Sequence, residues 1–188
     1  MIYDRQNLFW DLIDIKHEKE YLYMQYNTEC IIPMKIPEHN FLETCLFFNT
    51  NAFSRQLLKI AENEFKALKL SPAHASFLLL VFDTPGISPK ELSRLLQLTP
   101  STITRFIDSL VKKKLVFRTT KGKAAFIFPT PKSQDMQRSI AQAYKNLYLT
   151  YSRILGTKTA MGLSCKIAKA NERMMENMKS LEENESQL

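Results

Sequence analysis

The punctuation of this 188-residue chain constrains its fold more than any other feature. Four helices are predicted to begin with a hydroxyl residue followed by proline, at Ser71-Pro72, Ser88-Pro89, Thr99-Pro100 and Thr130-Pro131. In such a start the Ser or Thr oxygen accepts a bond from a first-turn amide, and proline at the first helical position has no amide to leave unpaired. Ser88-Pro89-Lys90-Glu91 also has the spacing of a capping box, with Glu91 expected to reach back to the start of its helix. Leu92, Leu95 and Leu96 give that short helix one apolar face, and Gln97-Leu98 forms a turn. In the helix begun by Thr99, Ile103, Phe106, Ile107 and Leu110 recur at i, i+3, i+4 and i+7, so one side is core. The other side carries Ser101, Thr102, Thr104, Arg105 and Asp108. Two short helices around a tight turn, the second polar and arginine-bearing, are what a helix-turn-helix requires.

A basic hairpin follows. Leu115-Val116-Phe117-Arg118 and Ala124-Ala125-Phe126-Ile127-Phe128 are β-prone runs around Thr119-Thr120-Lys121-Gly122-Lys123. The predicted fold class is therefore mainly α with a small β-hairpin wing, a winged helix-turn-helix. Charge converges on the same stretch. Residues 86–133 hold ten bases against two acids, a net +8, while the whole chain is +7, so the other 140 residues sum to −1. Concentrated positive charge is what phosphate neutralisation needs. The blander reading is a basic solvated surface.

The DNA-binding residues expected from this pattern are Ser88, Ser101, Thr102, Thr104, Arg105, Lys112, Lys113, Arg118, Lys121 and Lys123. An arginine at position 105 can grip guanine O6 and N7 with two bonds. The competing role for Arg105 is a phosphate contact or a pair with Asp108. For the hydroxyls the competing role is helix-start chemistry. Lys112, Lys113 and Lys114 close the helix and also complement its dipole.

Residues 70–118, LSPAHASFLLLVFDTPGISPKELSRLLQLTPSTITRFIDSLVKKKLVFR, resemble the MarR family of bacterial transcription regulators. The resemblance is carried by Leu70-Ser71-Pro72, Pro85-Gly86-Ile87-Ser88, Lys90-Glu91-Leu92, Ser101-Thr102-Ile103-Thr104-Arg105 and Leu115-Val116, with Thr130-Pro131-Lys132 as the exit from the wing. It extends over about residues 40–155. It implies a homodimer built on long N- and C-terminal helices. It also implies binding to double-stranded DNA at a pseudo-palindromic operator, and a small aromatic or anionic effector between the dimer arms and the DNA lobe. Family wings have a longer acidic-and-arginine tip than Thr120-Lys121-Gly122-Lys123, so minor-groove contact by a wing arginine is not implied here.

The rest of the chain is read around that lobe. Residues 34–188 form the MarR-like domain, with the DNA-binding lobe at 70–130 and dimerisation helices at 38–68 and 131–185. Ala52, Phe53, Leu57, Ile60, Ala61, Phe65 and Leu68 stripe the first long helix, and Phe77-Leu78-Leu79-Leu80-Val81-Phe82 reads as the buried heart. A helix from Pro131 is expected to reach Leu155, where Gly156 breaks it. Ile167, Met174, Met178 and Leu181 then recur in a 3,4 rhythm suited to a partner helix. Residues 1–33 carry six acids against three bases. They read either as upstream of a translation start at Met34 or as an added helix that strengthens a dimer.

No apolar run approaches the ~20 residues a membrane span needs, and the first residues have acids where a secretion signal has bases, so a cytoplasmic protein with no membrane role is expected. His17, His39 and His74 are scattered, and neither a zinc-protease, a nucleophile-elbow nor a phosphate-loop motif occurs. No catalytic residue, metal or cofactor is therefore expected. Cys45 is similar in placement to the reactive cysteine of the organic-peroxide-sensing branch of the family, which makes it a candidate redox sensor. The alternative is a small apolar residue among leucines and phenylalanines. The expected function is that of a sequence-specific regulator, a dimeric repressor released by a small molecule or an oxidant. A winged-helix scaffold module without specific DNA binding is the competing class.

Overall fold

The computed structural model of the chain describes residues 45–122 and 124–185, together with Leu42. The 1–33 extension, Cys30, Lys123 and most of the stretch 38–44 expected to open the first long helix lie outside them; Leu42 is helical. Helix α1 (Leu46–Phe65) runs into a 3-10 turn (Lys66–Leu68). Then come α2 (Pro72–Asp83), α3 (Pro89–Leu96), α4 (Pro100–Lys112), the antiparallel strands β1 (Val116–Lys121) and β2 (Ala124–Pro129), and α5 (Pro131–Asp135), α6 (Gln137–Leu155) and α7 (Thr157–Glu185). The chain divides into two compact units, Met1–Lys145 and Asn146–Leu188.

All four hydroxyl-proline starts are N-caps. Ser71 accepts from the His74 amide at 3.3 Å, Ser88 from Glu91 at 3.1 Å, Thr99 from Thr102 at 3.3 Å and Thr130 from Ser133 at 3.2 Å. The reciprocal capping box falls elsewhere than expected. The Glu91 carboxylate is gripped by Arg94 through two bonds of 2.6 and 3.0 Å, whereas Thr130 and Ser133 cap each other mutually. A second correction concerns the helix from Pro131, which is not continuous. The Met136 amide bonds to the Ser133 carbonyl three residues back, tightening the turn and separating α5 from α6.

The core of the first unit is built on α2. Ala75, Phe77, Leu78 and Val81 are fully buried, together with Phe65, Leu92, Ile103, Leu110, Ile127 and Ile140 from the surrounding elements. Each large apolar side chain gains about 1.5–3 kcal/mol by this burial. The face of α4 expected to be core is core: Ile103, Ile107 and Leu110 are buried, and Phe106 is half-buried against the rings of Phe77 and His74. Tyr144 on α6 closes the far side. Its ring meets Phe65 edge-on at 4.8 Å, and its hydroxyl lies 2.6 Å from Ser76 Oγ and donates to the Pro72 carbonyl at 3.2 Å.

The wing is longer than its sequence suggested. β1 extends through Lys121, which pairs with Ala124, so the turn between the strands is shorter than expected, with Gly122 at φ +60°. A third strand position is also present. The Ile127 amide donates to the Ile87 carbonyl at 3.1 Å, and the Gly86 amide donates to the Ile127 carbonyl at 2.8 Å. Gly86 makes this crossing possible, with φ +89° and a position where a Cβ would lie 3.0 Å from the Phe128 ring.

In the second unit Gly156, at φ +82°, separates α6 from α7. Along α7, Ile167, Met174 and Met178 are exposed, the two methionines to 58% and 55%, so the expected seam finds no cover among the described residues. No single helix among the described residues is long and apolar enough to cross a membrane. Only the bent pair Leu46–Leu68 with Pro72–Asp83 passes that test jointly, and Pro72–Asp83 is the buried core helix.

Gly86→Ala is expected to cost about 1–3 kcal/mol of stability, since alanine pays for the left-handed backbone and meets the Phe128 ring. Gly162, helical and with open space around its Cβ position, should tolerate the same change or gain from it, and urea unfolding of the two variants checks the contrast. His74 generates a pH dependence. Burial first, and the Lys113 charge second, hold its pKa below the ordinary 6.5. The native state then binds fewer protons than the unfolded one, so this histidine opposes folding as pH falls through 6.5, down to its native pKa. Thermal unfolding followed between pH 7.5 and about 5 should show a fall in midpoint that His74→Phe reduces.

Candidate nucleic-acid interface

Helix α4 is held from behind and open in front. Its buried face rests on the core, and its first turn is fixed by a cluster of hydroxyls. Thr99 Oγ1 lies 2.9 Å from Thr102 Oγ1 and 3.0 Å from Ser101 Oγ, while accepting from the Thr102 amide. Thr104 Oγ1 donates to the Pro100 carbonyl at 3.0 Å. The hydroxyls expected to read DNA are thus tied first to the helix start. Thr104 has spent its only hydrogen, so while that bond stands its oxygen can accept from a base amino group but cannot donate to a phosphate. Ser101 and Thr104 remain exposed and Thr102 is half-buried.

Arg105 is exposed on the same face and makes no hydrogen bond or ion pair among the described residues. The alternative pairing with Asp108 does not form; the ion pair of this region is Arg94–Glu91 on α3. A guanidinium left unpaired has all five donors available to a partner outside the chain.

The remaining expected residues divide into two sets. Arg118 and Lys121 are exposed on β1, and Lys112 is exposed at the end of α4. Ser88 and Lys113 are instead bonded within the chain. Ser88 is half-buried as the N-cap of α3, and the exposed Lys113 ammonium donates to the Lys69 carbonyl at 3.2 Å. Lys132, which sequence reasoning did not single out as a site residue, donates to the Lys113 carbonyl at 3.0 Å. Its position just after Thr130-Pro131 is the one signal that could have placed it beside the end of α4. Lys123 lies outside the described residues. The wing also presents an aromatic pair, Phe117 stacked on Phe128 at 5.4 Å.

Cys45 is separate from this surface. It is half-buried and forms the N-cap residue of α1, its carbonyl accepting from the Asn49 amide at 3.0 Å. Among the described residues no cluster of three or more His, Cys, Asp or Glu side chains could hold a metal.

The arrangement has clear counterparts among known proteins. Residues 70–122 match the model of the MarR family. No curated protein sequence matches the chain. A mutant MarR from E. coli complexed with operator DNA is similar in structure, with TM-score 0.64 and 17% identity over 71% of this chain and 99% of that one. MepR of S. aureus in complex with DNA gives 0.62 at 14% identity, covering 69% and 98%. CouR of Rhodococcus jostii RHA1 bound to p-coumaroyl-CoA gives 0.59 at 16% identity, covering 67% and 91%. At such identities the likeness is one of fold, and it extends beyond the segment matched by the family model. The segment that matches the MarR family model, residues 70–122, is thus the one that folds as the helix-turn-helix and the first strand of its wing.

Proposed function

We propose that this protein is a sequence-specific, DNA-binding transcription regulator acting as a dimeric repressor. The observation that carries the reading is the two-sided character of α4. One face is locked into the core at Ile103, Ile107 and Leu110, and the opposite face offers an unpaired Arg105 between exposed Ser101, Thr104 and Asp108. A helix so held presents its early residues to base edges in the major groove, while Lys112, Arg118 and Lys121 supply charge to the backbone. MarR and MepR, similar in fold, have been solved with DNA.

Dimerisation follows from the apolar surface that α1 and α7 leave uncovered. Leu46 and Phe47 are 78% and 79% exposed, and Met174 and Met178 lie along α7. Burying such side chains against a second copy gains about 1.5–3 kcal/mol each, the favourable contribution set against the entropy of association. A two-fold dimer would place its two α4 helices about one turn of DNA apart, near 34 Å, on a pseudo-palindromic operator. CouR, bound to p-coumaroyl-CoA, supports an aromatic or anionic effector as the releasing signal. An oxidant acting at Cys45 is the alternative signal, favoured by the place of that thiol at the N-terminus of α1. The competing class is a scaffold module that uses the winged helix for protein contacts.

Competition titrations of the full chain against a selected duplex and random DNA separate these readings. Regulation requires specific binding that weakens steeply with salt. Absence of duplex binding at low salt contradicts it and favours the scaffold. Arg105→Ala should cost about 1–3 kcal/mol on the selected duplex and bring the two affinities closer, the result of losing a bidentate base contact. An equal loss on both duplexes would make Arg105 a phosphate contact.

A further inference from the structure

The C-terminal end of α4 is secured by side chains from both flanks. Lys113, the residue after the helix, sends its ammonium to the Lys69 carbonyl at the left-handed end of the 3-10 turn, φ +54°. Its own carbonyl receives the Lys132 ammonium from α5 at 3.0 Å. The Lys114 carbonyl receives the Thr130 hydroxyl at 2.8 Å, and the Leu115 carbonyl receives the Thr130 amide at 3.2 Å. These carbonyls belong to helix and turn ends, which lack intrahelical donors and carry the negative end of the dipole, so an ammonium is the donor that suits them. The two bonds run in series, Lys132 to Lys113 and Lys113 to Lys69. They tie α4 on one side to the turn that ends α1 and on the other to the start of the helices leading into α6.

We propose that Lys113 and Lys132 are positioning residues that form a strut fixing the pose of α4, and that neither neutralises a DNA phosphate. The sequence counts both among the ten bases of the DNA-binding stretch, but each exposed ammonium already gives one of its three hydrogens to a carbonyl of the chain itself. This assignment rests on the DNA-binding reading for its consequence. The strut itself does not depend on that reading.

The test uses the full chain with Lys113→Met and Lys132→Met, which keep the side-chain length and remove the charge. Loss of a phosphate contact flattens log K against log salt by about 0.9 for duplex DNA. Loss of a strut leaves that slope unchanged while affinity for the selected duplex falls about two- to tenfold, the range one hydrogen bond is worth. Lys113→Arg and Lys132→Arg, which keep a charged donor, should restore the affinity. A second readout needs no DNA. Ser71 Oγ, the Phe106 ring and the Lys113 charge surround His74, and that charge lowers its pKa after burial does. In Lys113→Met, the His74 titration followed by NMR should move to higher pH. A slope that drops by about 0.9, or a His74 titration that stays in place, overturns the proposal. Failure of the wild-type chain to bind duplex would contradict the regulatory reading alone, since the histidine would still report on where the Lys113 charge is held.

Discussion

The winged-helix lobe depends on how Ile127 is held. Its side chain is fully buried among α2, α3 and the strands, and a backbone in that position must find partners for its amide and carbonyl. Both groups are spent on one side, on Ile87 and Gly86. Toward Arg118 on β1, Ile127 is therefore the non-hydrogen-bonded member of its pair, where side chains approach most closely. One residue thus joins the wing to the loop preceding the helix-turn-helix, and the hairpin cannot swing independently of α3. Gly86 is the local concession that lets this crossing form beneath the Phe128 ring.

From that anchor the lobe follows as a sequence of satisfied ends. Each hydroxyl-proline pair closes the start of a helix, and the chain's own lysines close the end of α4. The result is an α4 fixed at both termini and along its buried face, with Arg105 left unpaired. Preorganisation of this kind lowers the ordering cost when a duplex binds.

Local signals were legible in the sequence. The caps at Ser71, Ser88, Thr99 and Thr130, the buried run on α2 and the 3,4 periodicity of α4 each depend on residues within one or two turns. What escaped depends on partners far along the chain. The Ile87–Ile127 bridge, the Lys113–Lys69 bond and the Lys132–Lys113 bond join residues tens of positions apart or choose among equivalent lysines, and no periodicity encodes that choice. The Glu91 carboxylate illustrates a closer competition. An arginine three residues on offers two charge-assisted bonds, stronger than the neutral amide at the cap. The commitment of the Thr104 hydroxyl to the Pro100 carbonyl belongs to the same class, a local bond that a polar helix face conceals.

The central claim is that the Arg105 face of α4 enters the major groove. Dimethyl sulfate probing of a selected duplex with the full chain bound tests it most directly, because the reagent methylates guanine N7 in the major groove and adenine N3 in the minor groove. Protection of guanine N7 in two half-sites about 10 base pairs apart is the expected result. Binding that leaves every guanine N7 reactive, or protects only adenine N3, would contradict it.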